Sequence, residues 1–168
     1  MRLLVLFSIA ALVALAAETT IPRWLPLGPL MPDLVLILVV DLGLKHHGAL
    51  AVAMVFGMGY ATDSFSGTHL GLNAFMLTVV FLMAYGLSRY LISTSTAIGV
   101  ILVFIGAMLT GVANYLVSES TDALAGVGAI VPAVAIRAGV SAICAPWVFA
   151  LLAAAKRAVG LRPRSVRE

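Results

Sequence analysis

Residues 96–117 read TAIGVILVFIGAMLTGVANYLV, an apolar run without a single Asp, Glu, Lys or Arg. A helix needs roughly 20 residues to cross about 30 Å of hydrocarbon, and this run has both the length and the composition. A soluble helix would place polar residues at regular intervals to keep one face wet, and none recur here. Working outward, five more stretches approach the same character, so that spans are expected near residues 3–20, 27–44, 48–64, 70–91, 96–117 and 131–155. Turn-formers and charges collect between them: Pro22, Pro26 and Pro29, then Lys45-His46-His47-Gly48, Ser66-Gly67, Ser93-Thr94-Ser95, and Glu119 through Asp122. The expected fold is all-α, a polytopic membrane helical bundle of about six transmembrane helices forming one domain over residues 1–168.

The composition agrees with lipid as the main solvent. Hydrophobic residues make up 62% of the chain and charged residues 10%, whereas a soluble domain carries roughly 25% charged residues. The formal net charge of +3 does not point to nucleic acid, because the ten Lys and Arg sit at segment ends. With both termini inside, the cytoplasmic side receives Arg2, Lys45, Arg89, Lys156, Arg157, Arg162, Arg164 and Arg167. Arg23 and Arg137 remain outside, beside Glu18, Glu119 and Asp122. The first stretch also reads as a signal peptide, with Arg2, an apolar core from Leu3 to Ala17 and small residues at Ala14, Ala16 and Ala17. It is counted here as a span. A lone Cys144 excludes an internal disulfide and a cysteine metal cage.

Association of helices in lipid depends on small residues and a few hydrogen bonds. Three seams suggest themselves: Ala49, Ala53, Gly57 and Ala61; Ala107 and Gly111; and Ala133, Arg137, Ser141 and Ala145. Pro146 should bend the last span, and part of 122–137 is expected to lie along the interface.

Ionisable groups at membrane depth are costly and face protein or a wet cavity. Pro32-Asp33 suits a helix start, Asp41 and Lys45 suit an i,i+4 pair, and His46-His47 read as loop residues rather than metal ligands. Asp33, Asp63, Asn73, Asn114 and Arg137 come from five segments to the outer half of the bundle. Arg137 is expected to pair with Asp33 or Asp63, with Asn73 or Asn114 completing the network. Such a cluster locks helices, lines an outward cavity or supports a docking face, and sequence leaves the three open. No catalytic residues, cofactor or metal site are expected: His46, His47 and His69 all fall outside the spans, away from any plausible serine nucleophile.

The stretch Gly59–Phe75, GYATDSFSGTHLGLNAF, resembles the signature of the MreD family of rod-shape-determining membrane proteins through Gly59, Asp63, Ser66, Gly67, Leu70, Gly71 and Ala74. Upstream, Pro32-Asp33 resembles the opening of that family's second segment; downstream, Pro146-Trp147 and the basic residues after it resemble its closing helix and tail. The chain departs from the pattern at Met31, where Arg often stands, and at Asp41, in a region commonly aromatic. The resemblance implies a non-enzymatic component of the cell-elongation machinery in the bacterial cytoplasmic (inner) membrane. Its implied partners are a single-span MreC-type protein, the MreB filament, and a RodA-type peptidoglycan synthase with its transpeptidase. It also implies a fold similar to the substrate-binding subunits of energy-coupling-factor transporters, which supplies the rival reading of a vitamin-type importer subunit.

Overall fold

The computed structural model describes residues 2–24, 30–46, 48–66, 70–90, 95–118 and 123–158. Among them are six helices: α1 (Arg2–Trp24), α2 (Leu34–Lys45), α3 (Ala49–Ser66), α4 (Leu72–Tyr90), α5 (Thr96–Ser118) and α6 (Ala123–Ala158). Leu72–Arg89, Thr96–Val117 and Ile130–Ala158 are long and apolar enough to cross a membrane, and α1 carries a shorter apolar stretch, Val5–Thr20. The chain is a helical membrane protein.

The helices are arranged as a ring around one axis element. Every residue of α2 from Val35 to Leu44 is buried, and α2 packs against all five other helices. Around it, α1 touches α3, α3 touches α4, α4 touches α5, α5 touches α6, and α6 returns to α1. Close approaches fix the order. Gly43 of α2 lies against Ala84 and Phe81 of α4, Gly106 of α5 against Val80, and Gly111 of α5 against Val134 of α6. In each case an added Cβ would meet the neighbour at 3.0 Å or less, so glycine sets how near the helices lie.

Three expectations need correction. The second span was placed at 27–44, but residues 25–29 lie outside the described residues and α2 starts only at Leu34. Pro32 and the capping geometry of Asp33 (φ −86°, ψ 90°) end the extended entry there. Twelve residues of helix extend about 18 Å, well short of the hydrocarbon thickness.

The row Ala49, Ala53, Gly57, Ala61 is not a packing seam either. Ala49, Ala53 and Gly57 are exposed, and a Cβ on Gly57 would meet nothing within 4 Å. The packed row is Ala51, Val55, Gly59 and Asp63, on the opposite face of α3. Small residues occur on both faces, and the face that carries Asp63 turns inward.

On α6, Ser141 and Ala145 are buried while Ala133 and Arg137 are exposed. A row of every fourth residue drifts around a helix, and the contact instead follows Val134, Ala138, Ser141, Ala145, Phe149 and Leu152. The α5 pair holds its place, Ala107 buried and Gly111 against α6. Helix α6 runs without interruption through Pro132 and Pro146, and it begins at Ala123 rather than 131.

Candidate functional site

A helix that starts inside a protein-filled membrane has no water for its first N–H groups, so those donors require protein acceptors. At two of the helices here, α2 and α4, carboxylates of the chain supply those acceptors. At α2, Asp33 Oδ1 accepts from the Leu36 N–H at 2.9 Å. Glu18, reaching over from α1, accepts through Oε1 from the N–H groups of Leu34 and, at 3.1 Å, Val35. The Asp33 N–H donates to Ser141 Oγ at 2.9 Å, and that hydroxyl donates to the Arg137 carbonyl at 2.9 Å. The start of α2 is thereby tied to α1 and α6.

At α4 the position before the helix is Gly71, which has φ +93° and no side chain to cap with. Asp63, fully buried near the end of α3, takes over that task. Its Oδ2 accepts from the N–H of Gly71 at 2.8 Å and of Ala74 at 3.3 Å, and its Oδ1 accepts from the N–H of Asn73 at 3.2 Å. One turn back on α3, Gly59 lies so close to α4 that a Cβ would sit 2.4 Å from Ala74 Cα. Gly59, Asp63, Gly71 and Ala74 thus form a single joint: glycine admits the backbone, and the carboxylate then closes the exposed helix start. Of the other motif residues, Leu70 and Ser66 are exposed, Pro32 is half-buried, and Gly67 lies outside the described residues. Pro146 is half-buried within α6 beside an exposed Trp147.

The five polar residues expected as one network have their contacts in two groups with different partners. Arg137 Nη2 stands 4.0 Å from Asp33 Oδ2, at the limit of an ion pair, with its side chain 52% exposed. Asp63 turns to the α4 backbone. Asn114 of α5 donates through Nδ2 to Asn73 Oδ1 at 2.9 Å and to the Thr110 carbonyl at 2.9 Å, which ties α5 to α4 beside the joint. Glu18 and Ser141 belong to the first group, Glu18 from the outer end of the first expected span and Ser141 from an expected helix seam. Glu18 interrupts an apolar run, and that interruption was the available signal.

The opposite end carries a second cluster. Asp41, buried in α2, accepts from Lys45 through Oδ1 and from Lys156 of α6 through Oδ2 at 2.6 Å. Lys156 Nζ also lies 4.9 Å from the centre of the Phe7 ring of α1, and Phe7 meets His46 edge-on at 6.0 Å between centroids. The expected Asp41–Lys45 pair is therefore part of a three-helix fastening that includes a residue 115 positions away. His46 also closes α2, its N–H donating to the Leu42 carbonyl at 2.8 Å. Among the described residues no group of three or more His, Cys, Asp or Glu could hold a metal ion.

A family model described as rod shape-determining protein MreD matches residues 1–155 of the chain. Neither the curated proteins nor the solved structures contain a match.

Proposed function

We propose, from the premise that this chain belongs to the MreD family of rod shape-determining proteins, that it works by holding partners rather than by chemistry. In this reading it resides in the bacterial cytoplasmic membrane as one multi-pass domain with both termini in the cytoplasm. It binds the membrane helix of an MreC-type single-span protein and helps couple the MreB filament inside to a RodA-type synthase and its transpeptidase outside. The family is one of shape-determining membrane proteins, and the roles beyond that are our proposal.

The observation that carries the non-enzymatic part is the use to which the carboxylates at the starts of α2 and α4 are put. Asp63 holds three backbone N–H groups, and Asp33 and Glu18 together hold three more. A carboxylate engaged in capping is a weaker general base, because the N–H groups it accepts from stabilise its charged form. Placing these groups at helix starts makes a rigid scaffold, which suits a docking role.

The test is crosslinking in native membranes of rod-shaped bacteria expressing the tagged chain, with identification of what is captured. A single-span wall-synthesis protein is the expected product. Capture of an ATPase module with a coupling subunit, and no such single-span protein, would overturn the proposal in favour of transport.

A further inference from the structure

One carboxylate serving two ammonium groups leaves a positive charge over. Asp41 is the only acid in the fastening that joins α1, α2 and α6 among the described residues, whereas Lys45 and Lys156 both point at it. Aromatic rings lie beneath both cations, Phe149 at 5.6 Å from Lys45 Nζ and Phe7 at 4.9 Å from Lys156 Nζ. Ring faces attract a cation but do not neutralise it. Uncompensated charge beside hydrocarbon is costly, and an anion supplied from outside removes that cost.

The cluster has a direction. Asp41 is buried and the Lys156 side chain is 12% exposed, but the Lys45 side chain is 42% exposed, so the surplus charge is reachable at Lys45. The exposed Arg157 follows Lys156 on α6 and adds a further cation to this end. The surface of the surrounding elements carries exposed apolar side chains, Val5 on α1, Leu50 at the start of α3 and Leu151 on α6. A free anion would gain nothing from that surface, while a lipid would lay its acyl chains along it.

We propose that this end of the bundle binds the phosphate of an anionic phospholipid headgroup, seated on Lys45 with Asp41 and Lys156 behind it. The site rests on the membrane setting of the chain and is independent of the partner assigned above.

The experiment follows thermal unfolding of the purified full chain in neutral detergent with added phosphatidylglycerol, phosphatidylcholine or inorganic phosphate. Phosphatidylglycerol should raise the midpoint by several degrees more than phosphatidylcholine does. Lys45→Gln should abolish that difference and Lys45→Arg should keep it. Both variants should fold, because Asp41 retains Lys156. The triple variant R162Q/R164Q/R167Q should also keep the difference, since the tail is not the site. Retention of the full difference in Lys45→Gln, or its loss in the tail variant, would overturn the proposal. An equal rise with inorganic phosphate would overturn the lipid assignment.

Discussion

At the end of the bundle where α2 begins, three carboxylates face peptide N–H groups; at the end where it stops, one carboxylate faces two ammonium groups. Among the described residues Arg137 is the cation beside the acids, and Asp41 the acid beside the lysines. The two odd charges are treated differently. Arg137 is half-exposed and touches Asp33 only at 4.0 Å, so the acids around it are satisfied mainly by helix dipoles and backbone donors. Asp41 is enclosed, and among the described residues it is the acid that Lys156 meets. The lesson is that a buried acid can be held by peptide groups without any ion, and that such an end tolerates the loss of its counter-charge. An end built on ion pairs does not.

The largest effect is expected from Asp41→Asn, which leaves the Lys156 ammonium inside the bundle without its counter-ion. A loss of about 3–5 kcal/mol in unfolding free energy is expected, measured by denaturant titration in mixed micelles. Lys156→Met should lose less, because Asp41 keeps Lys45.

At the other end Asp63→Ala should cost about 1–3 kcal/mol by stranding the N–H groups of Gly71, Asn73 and Ala74. Hydrogen exchange should then rise in the first turn of α4 before anywhere else. Gly59→Ala probes the same joint from its steric side. Its new methyl would lie 2.4 Å from Ala74 Cα, and a penalty of about 1–3 kcal/mol is expected from the forced separation of α3 and α4. Arg137→Gln should have the smallest effect, under about 1 kcal/mol, because the pair is long and half in contact with its surroundings. A loss at Arg137 as large as that at Asp41 would erase the distinction between the ends.

Much of this architecture could be read from residues alone, and the failures have physical causes. The long apolar helices were visible because lipid demands unbroken runs, as at 96–117. The central position of α2 was not, since a helix facing lipid on every side and one wrapped by five helices share the same continuous apolar sequence. Pro32-Asp33 did mark where α2 starts, but the requirement for span length pulled the expected boundary back to 27.

Alternating the segments led to the expectation that Asp33, Asp63, Asn73, Asn114 and Arg137 share one end, and of these the structure joins Asp33 with Arg137 and Asn73 with Asn114. The partners of Asp63 and Glu18 did not follow, because the donors that hold them are backbone groups and every residue has those. Arg137 does stand beside Asp33, one of the two carboxylates expected for it, but only at 4.0 Å, because Asp33 is also engaged by the Leu36 N–H. Lys156 was counted as a topological cation, and nothing local to it announces a partner 115 residues away. Asp41 had stood out as a departure from the family pattern, and it is the residue on which the lysine end depends.

The most direct test of the division between the two ends is a pair of double-mutant cycles, Asp41→Asn with Lys156→Met and Asp63→Asn with Arg137→Gln, measured by unfolding in the same micelles. The first cycle should show a coupling of more than about 1 kcal/mol and the second should be additive to within about 0.5 kcal/mol. A strong coupling between Asp63 and Arg137, or additivity between Asp41 and Lys156, would contradict the account.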